Sequence, residues 1–244
     1  MKEPLEKLKS KLGLSYVEYY REVSSTQEAA RRLNQTPPYL IVAKRQTRGK
    51  GRMGRRWLSE NGGLYLTLVI ERFPHEWAVS VTSAYLVLKS LSRNVEGITL
   101  KWPNDLLYGN AKLAGTLAEA WGGRLGVGVG VNVNQEGFGE ALEGKATSLR
   151  IIMDRTFDMD DTLESISSAL VNGLRTLAKK GFKGVYPGIR KALLESVQKV
   201  RVKTEKGEEA GRLLDIYPEG NVEIEIQGRR KVKLPAGQIL GGHV

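Results

Sequence analysis

The stretch LKWPNDLLYGNAKLAGTLAEAWGGRLGVGVGVNVN, residues 100–134, decides the fold because it predicts consecutive strands joined by short turns. Pro103 breaks a first strand, and a Gly-Asn pair at 109–110 turns a second strand into a third. Residues 124–134 then alternate small and β-branched side chains as one more strand. So much glycine in a strand indicates that something approaches its backbone closely. The stretch therefore predicts a sheet with a close neighbour on its glycine-rich strand.

Helices and further strands are predicted on both sides of this stretch. Upstream, the pattern indicates a strand, a helix capped by Ser or Thr, two more strands and an amphipathic helix, at residues 16–23, 25–34, 39–44, 60–70 and 75–93. Downstream, Asp160 or Asp161 is expected to cap a long helix, and residues 186–196 predict a second helix. Strands and helices are thus interspersed along the first 195 residues.

The last fifty residues have a different pattern. Apolar and polar residues alternate strictly in KVRVK, GRLLDIY, NVEIEI and KVKLP, which predicts four or five short strands and a small closed barrel. We therefore expect two domains, residues 1–195 and residues 196–244.

Composition excludes several kinds of chemistry. The 244 residues include no Cys and two His, which excludes disulfides, thiolate nucleophiles and a serine-histidine-aspartate constellation. No apolar run approaches the roughly 18 residues of a membrane span, and no signal-peptide core is evident. The expectation is a cytoplasmic protein without membrane contact. A net charge of +11 indicates an anionic partner, which can be nucleic acid, a nucleotide or an acidic protein.

A glycine-rich segment, TRGKGRMGRRW at residues 47–57, satisfies G-x-G-x-x-G in its letters. A dinucleotide-binding motif opens into a helix, whereas this segment leads into a strand, and the Lys-Ser/Thr pair of a P-loop is absent. Exposed backbone N–H groups with Lys50, Arg52 and Arg55 predict a loop that binds a phosphate or a mixed anhydride. A solvated basic hairpin loop is the alternative.

A second group of polar residues follows the first strand of the opening stretch. KWPND places Asp105 after Pro103, and KLAG places Lys112 just past the Gly-Asn turn. A short hairpin would bring the two charges to the same rim, although PND alone is also typical of a plain turn.

The sequence resembles the biotin protein ligases in four segments that occur in the same order: EVSSTQEAA, AKRQTRGKGRMGRRW, LKWPNDLLYGNAKLAGTLAE and GVGVNVN. The resemblance implies an α+β fold, a class II aminoacyl-tRNA synthetase-like mixed sheet with flanking helices, followed by a small C-terminal SH3-like β-barrel. It implies an ATP-dependent enzyme that forms biotinyl-5′-AMP and transfers biotin to a lysine of a biotin carboxyl carrier protein. About fifteen residues precede the first strand, too few for the helix-turn-helix domain of many members, so no specific DNA binding is expected.

The resemblance also implies roles for individual residues. Lys112, Arg52 and Asp105 are the expected catalytic residues. Biotin contacts are expected from Ser25, Thr26, Gln27, Gln46, Gly49, Lys50, Gly51, Arg52, Lys112, Gly115 and Gly128. ATP or adenylate contacts are expected from Lys50, Arg52, Arg55, Trp57, Asn104, Lys112, Gly130 and Asn132. Gln27 replaces the family's usual Asn, and Lys50 replaces an Arg. Biotin and ATP are the expected substrates with Mg²⁺, whose ligands are unassigned, and a homodimer is a family-based expectation.

Two alternatives remain open at this stage. A lipoate or octanoate ligase would share the fold and the lysine, but such enzymes typically carry an Arg-Arg-x-x-Gly-Gly-Gly segment that is absent from this sequence. A basic nucleic-acid-binding protein without catalysis agrees with the net charge, but the glycine-rich loop lacks interleaved aromatic residues.

Overall fold

The computed structural model describes residues 2–73, 75–196, 198–204, 207–226 and 230–239, and a mixed sheet forms its centre. The strands of this sheet are β1 Tyr16–Tyr20, β2 Tyr39–Ala43, β3 Gly63–Glu71, β4 Ile98–Lys101, β5 Asp105–Tyr108, β6 Ala111–Trp121 and β7 Arg124–Asn132. Their order is β1-β2-β3-β7-β6-β5-β4. Strands β1 and β2 are parallel, and every other neighbouring pair is antiparallel. The strands predicted for residues 100–134 are confirmed.

Strand β7 explains why the glycine-rich segment folds as it does. Side chains alternate between the two faces of a strand, so the valines at 127, 129 and 131 join the hydrophobic core while the glycines at 126, 128 and 130 share the opposite face. Gly130 pairs with Tyr65 on β3 and with Gly115 on β6. Two neighbouring strands thus present bare backbone at the centre of the sheet.

Six helices occur in the described residues: α1 Lys2–Leu12, α2 Thr26–Arg32, α3 Glu76–Leu91, α4 Leu149–Met153, α5 Met159–Lys180 and α6 Tyr186–Leu194. Four of them, α2, α3, α5 and α6, are those predicted. None of the six is both long and apolar enough to cross a membrane. The α3 and α5 helices pack against each other, and apolar residues of both belong to the main core cluster.

Two capping predictions need correction. The carboxylate that caps α5 belongs to Asp158, whose Oδ1 accepts hydrogen bonds from the backbone N–H groups of Asp160 and Asp161 at 2.8 and 2.9 Å. Asp160 and Asp161, the predicted caps, therefore lie in the first turn of the helix and are the residues whose backbone N–H groups Asp158 binds. Ser25 holds the N-cap position of α2, but its side chain makes no capping hydrogen bond.

The C-terminal part forms a second, antiparallel sheet. Its strands are β8 Gln198–Thr204, β9 Gly207–Ile216, β10 Asn221–Ile226 and β11 Arg230–Pro235, in the order β11-β10-β9-β8. Along β10 the apolar residues are buried and the polar ones are partly exposed, as the alternation predicts. A bridge between Val202 and Ile239 returns the chain after β11 to the open edge of β8. Residues 240–244 of the predicted barrel lie outside the described residues.

The two sheets are joined by specific contacts. The Gln198 side chain accepts a hydrogen bond from the Trp102 backbone N–H at 2.9 Å and donates one to the Leu100 carbonyl at 2.8 Å. Arg190 on α6 forms two hydrogen bonds with Asp215 on β9, at 2.7 and 2.8 Å. One hydrophobic cluster contains buried residues from both sheets. The division into two domains at residue 195 stays a prediction.

Candidate active site

A cavity of about 730 Å³ lies over the bare backbone of β6 and β7. Its walls come from α2, the loop that contains the glycine-rich segment, the β4–β5 turn and the segment after β7. The structure brings together here sixteen of the seventeen residues proposed from sequence: Ser25, Thr26, Gln27, Gln46, Lys50, Gly51, Arg52, Arg55, Trp57, Asn104, Asp105, Lys112, Gly115, Gly128, Gly130 and Asn132. Segments far apart in sequence thus converge on one cavity.

Gly49 is the residue that does not line this cavity. It is buried behind the loop, where its carbonyl accepts a hydrogen bond from the Trp57 backbone N–H at 2.9 Å. A Cβ at this position would lie 2.5 Å from Ser59 Oγ and from the Trp57 carbonyl oxygen. The structure therefore gives Gly49 a packing role, and its predicted contact with biotin stays a prediction.

Polar side chains line the end of the cavity near α2. Gln46 Oε1 accepts hydrogen bonds from the Thr26 backbone N–H at 2.8 Å and from its hydroxyl at 3.1 Å. Gln46 Nε2 donates to Ser59 Oγ at 2.8 Å, and Thr67 donates its hydroxyl proton to Thr26 Oγ1 at 2.9 Å. This network fixes the start of α2 against the sheet.

Two polar atoms at this end keep free hydrogen-bonding capacity. Gln27 is 4% exposed, and its Nε2 donates to the carbonyls of Leu117 and Gly126 at 3.0 and 3.3 Å. Among the described residues, its Oε1 has no hydrogen-bond partner, and neither does the Oγ of Ser25, which is 1% exposed. Buried polar atoms are normally paired, so this end suits a ligand that supplies both donors and an acceptor.

Positive charge collects at the other end. Lys112 Nζ lies 2.8 Å from Asp105 Oδ1 and 5.1 Å from the centre of the Trp57 ring. An irregularity in the β5–β6 register between Leu106 and Leu107 lies between the two charged residues, and the β5–β6 hairpin brings them together as predicted. The Lys112 backbone is held by the 145–147 segment, through hydrogen bonds to Lys145 and Thr147 at 2.8 and 3.0 Å.

Lys50 and Arg52 are two cations of the glycine-rich loop with different partners. Lys50 Nζ lies 3.1 Å from Glu28 Oε1 on α2, and Ser24 donates a hydrogen bond to the other carboxylate oxygen at 3.0 Å. Hydrogen bonds from Lys50 and Ser24 hold the pKa of Glu28 below its usual value.

Arg52 lies deeper than Lys50. It donates a hydrogen bond from Nη1 to Asn104 Oδ1 at 3.2 Å, while Asn104 donates to the Thr116 carbonyl at 2.7 Å. Burial, and to a lesser degree the neighbouring Arg55, lowers the pKa of Arg52. A guanidinium titrates so far above neutral pH that Arg52 keeps its charge.

The glycines at 115, 128 and 130 form the floor of the cavity, and Trp57 packs closely against two of them. A Cβ at Gly130 would lie 2.5 Å from its indole ring, and one at Gly115 would lie 3.2 Å from it. At Gly128 the corresponding neighbour is Gln27 Nε2, at 2.9 Å. A side chain at Gly130 would therefore clash with the Trp57 ring, and one at Gly115 or Gly128 would require Trp57 or Gln27 to shift. Asn132 at the end of β7 donates hydrogen bonds to the carbonyls of Lys112 and Thr147, at 3.3 and 2.9 Å.

Several wall residues were missed by sequence reasoning. They include three cations and an apolar group after β7: Arg56, Lys101, Lys145, Phe138, Ala141 and Leu142. The last three lie around a short 3₁₀ turn at Glu140–Leu142, a segment without helical or strand periodicity. This segment lies close to Lys112 because Lys112 and Ala146 form a β-bridge. No local sequence pattern predicts that bridge.

The cavity has free hydrogen-bonding groups at one end and cations at the other, an arrangement that suits a ligand with a polar group and an anionic group. Residues 19–136 match the family model described as the biotin/lipoate A/B protein ligase family. The chain is 30% identical to the bifunctional ligase/repressor BirA of Bacillus spizizenii, over 92% of this chain and 74% of that relative. The chain belongs to the biotin protein ligase family.

Two further comparisons agree with this assignment. The chain is 28% identical to the biotin–[acetyl-CoA-carboxylase] ligase of Paracoccus denitrificans, over 58% of this chain and 65% of that relative. Its fold matches the biotin protein ligase from Aquifex aeolicus in complex with biotin and ATP, with a TM-score of 0.84, 29% identity and coverage of 95% of this chain and 100% of that chain.

Proposed function

We propose that this protein is an ATP-dependent biotin–protein ligase whose site is the 730 Å³ cavity. In the first step, a carboxylate oxygen of biotin attacks the α-phosphorus of ATP. The new O–P bond replaces the bond to the bridging oxygen, and pyrophosphate leaves with the electron pair. In the second step, the amine of an acceptor lysine attacks the acyl carbon, the C–N bond forms, and AMP leaves. The products are a biotinyl amide, AMP and pyrophosphate.

The polar end of the cavity supports binding of the biotin ring system there. A cyclic urea offers two N–H donors and one carbonyl acceptor, and the free atoms of Gln27 and Ser25 are an acceptor and a hydroxyl. Gln27 thus offers the same amide chemistry as the Asn that the family usually has, on a side chain one methylene longer. The glycines at 115 and 128, with Thr26 and Gln46, complete the proposed biotin subsite.

The cationic end supports binding of the phosphates. Lys112 is the proposed bridge between the biotin carboxylate and the α-phosphate, and its pairing with Asp105 holds the ammonium on the cavity wall. Lys50, Arg52 and Arg55 are the proposed further contacts of the adenylate. Fixed positive charge stabilises the negative charge that develops on the phosphoryl oxygens as pyrophosphate leaves. Trp57, Asn104, Gly130 and Asn132 are the proposed neighbours of adenine and ribose.

Asp105 is proposed to act in the second step as well. Its side chain is 14% exposed, and it is the one carboxylate among the described residues that line the cavity. A lysine can attack only as the neutral amine, so the nitrogen must lose a proton, and Asp105 is the proposed first acceptor.

Mg²⁺ is proposed to enter with ATP. In the described part of the chain, no group of three or more His, Asp or Glu side chains is arranged to hold a metal ion. Mg²⁺ commonly keeps several waters and binds substrate phosphates with one or two carboxylates, which fits a wall with a single carboxylate. The ion would neutralise phosphate charge in the first step.

The wider setting is proposed from the family and the charge. The acceptor is a biotin carboxyl carrier domain, the location is cytoplasmic, and residues 1–195 and 196–244 form the catalytic and barrel domains. A homodimer is a family-based proposal that sedimentation would test. Specific DNA binding is not proposed, since several cations of the C-terminal sheet are paired with carboxylates, as in Arg212–Glu225 and Arg230–Glu209.

The observation that carries this proposal is the convergence of Lys112, Asp105 and the glycine-rich loop on one cavity in a chain of this family. We expect Lys112→Ala to lower biotin-dependent ATP–pyrophosphate exchange by about 10² to 10³-fold, the usual cost of removing one transition-state contact. Lys145→Ala is the matched control, because this exposed lysine lines the same cavity, and the one hydrogen bond of its side chain among the described residues is to the Ala141 carbonyl. Labelled lipoate in place of biotin should give no exchange. Wild-type exchange by Lys112→Ala, or exchange with lipoate, would contradict the proposal.

A further inference from the structure

A second cavity, of about 200 Å³, lies where the C-terminal sheet packs against the central sheet. Its walls are largely apolar and aromatic: Trp77, Trp102, Pro103, Ala118, Ala236, Gly237 and Ile239. Trp77 packs its indole edge-on against Phe182, with ring centres 4.9 Å apart, and closely against Gly220. The walls are therefore formed by well-packed side chains from both sheets.

This cavity adjoins the proposed active site through one residue. Arg52, which donates a hydrogen bond to Asn104 in the main cavity, also lines the second one. Pro103, which lines the second cavity, directly precedes Asn104 and Asp105, which line the main one. The two cavities therefore have Arg52 as a common wall residue.

The described lining of the second cavity includes one charged residue of each sign. Glu76 is its one carboxylate among the described lining residues, and its side chain is 47% exposed. Its one cation among those residues is Arg52, which also lines the main site. Glu76 lies 3.9 Å from Arg72, at the outer limit of an ion pair, so its charge is only weakly compensated. The walls of the second cavity thus combine a half-exposed carboxylate, aromatic rings and one cation.

We propose that the second cavity admits the acceptor lysine of the carrier domain, an inference that rests on the proposed function. The four methylenes of a lysine suit aromatic and apolar walls, and its ammonium group is attracted by Glu76 and by the indole faces. Close to Arg52 a positive charge is disfavoured, which lowers the pKa of the ammonium and favours the free amine. The nitrogen then attacks the acyl carbon, the bond from that carbon to the phosphate oxygen breaks, and AMP leaves with the electron pair. The nitrogen's proton passes to Asp105 and then to water.

The test separates the two half-reactions of the full-length enzyme. Ala118→Phe fills the second cavity, and Glu76→Gln removes its carboxylate; neither residue lines the main site. Exchange of ATP with pyrophosphate measures adenylate formation. Preformed biotinyl-5′-AMP is then offered either an apo biotin carboxyl carrier domain or hydroxylamine, a nucleophile small enough to need no lysine channel.

We expect Ala118→Phe to lower kcat/KM for the carrier domain by about 100-fold, since a small misplacement of a reacting group costs that much. Exchange and hydroxylamine reaction should stay at wild-type rates. Glu76→Gln should raise KM for the carrier without changing kcat, whereas Glu96→Gln, on an exposed carboxylate outside both cavities, should change neither.

Wild-type carrier transfer by Ala118→Phe, or equal losses with carrier and hydroxylamine, would overturn the inference. Should Ala118→Phe fail to fold, an unchanged KM in Glu76→Gln overturns it independently. Absence of exchange in the wild-type enzyme would instead contradict the proposed function itself.

Discussion

Lys50 and Glu28 form an ion pair that links the glycine-rich loop to α2 at the edge of the proposed site. The ammonium group lies 3.1 Å from the carboxylate, which Ser24 also binds. A lysine is a point charge with no planar fork, so it cannot bind a carboxylate and a phosphate with the geometry of an arginine. The Lys50 ammonium group must therefore move away from Glu28 when it binds the phosphate of an adenylate. The carboxylate therefore competes with the ligand for Lys50.

Glu28→Gln should slow the dissociation of biotinyl-5′-AMP because it removes this competitor. An exposed or half-exposed ion pair contributes at most about 1 kcal/mol, so the effect should not exceed about fivefold. The measurement is the release rate of labelled adenylate in the wild type, in Glu28→Gln, in Lys50→Met and in the double variant. If the carboxylate acts through Lys50, it has no effect in the Lys50→Met background. Faster release from Glu28→Gln alone would show that the pair orients Lys50 productively.

At the scale of elements, β7 shows how a strand can serve both the core and the site. Its valines fill the core, and its glycines leave room on the other face for Gln27 and Trp57. This division follows directly from the twofold alternation of side chains in a strand. A side chain added on the glycine face must displace a residue of the proposed site.

Gly128→Ala should weaken biotin binding by displacing Gln27. The new Cβ would lie 2.9 Å from Gln27 Nε2, closer than carbon and nitrogen pack, so the amide must shift from its hydrogen bonds to Leu117 and Gly126. We expect a loss of roughly tenfold in biotin affinity, the value of one hydrogen bond of about 1.4 kcal/mol. Calorimetric titration with biotin measures it. Gly123→Ala in the β6–β7 turn is the control, because no atom lies within 4 Å of its added Cβ; an equal loss there would contradict the mechanism.

Helices and strands whose apolar residues recur at a regular spacing were predictable from sequence, and segments without such a spacing were not. The alternation in β10 buries one face of the strand, and the apolar residues of α3 recur at helical spacing in a helix that is buried over most of its surface, so both elements follow from the pattern of apolar residues. The α1 helix was missed because its 11 residues are mostly charged, although Leu5, Leu8 and Leu12 are buried. The cap of α5 was predicted two or three residues too late, because three aspartates lie within residues 158–161 and local sequence does not rank them.

The site was predictable to the extent that its residues belong to contiguous motifs. Motif residues from four segments reached one cavity, whereas Phe138 and Leu142 were missed because the chain between β7 and α4 has no regular period. Gly49 packs against Ser59 and Trp57 and does not line the cavity, so its predicted contact with biotin stays a prediction. Tertiary contacts decide which member of a glycine-rich motif faces a ligand.

At the scale of the whole molecule, the second sheet is fixed to the first by a few polar contacts and a shared apolar core. Gln198 makes hydrogen bonds with the backbone of β4 and of residue 102, directly beside the KWPND segment. Arg190 reaches Asp215 on the second sheet, and the Asp215 side chain also accepts a hydrogen bond from the Ile216 backbone N–H at 2.8 Å. We therefore expect the two sheets to unfold in one transition, with the acid stability of the molecule depending on this junction.

Asp215→Asn tests this expectation. The Arg190 guanidinium, and to a lesser degree the Ile216 amide, holds the pKa of Asp215 below its ordinary value of 3.8. A carboxylate with a lowered pKa in the folded state stabilises the protein above the ordinary value, and this contribution is lost as the pH falls through the folded pKa. The free energy of unfolding of the wild type should therefore fall more steeply from pH 5 to pH 3 than that of Asp215→Asn. At pH 7 the variant should be the less stable of the two.

Urea titrations at each pH, followed by circular dichroism and tryptophan fluorescence, measure both the free energy and the number of transitions. Glu96→Gln, which removes an exposed carboxylate distant from the junction in sequence, should follow the wild-type curve. Parallel pH curves for wild type and Asp215→Asn would show that the junction does not control acid stability. Two separated transitions in the wild type would show that the sheets fold independently, in which case the shared core transmits little of the junction's stability to the proposed site.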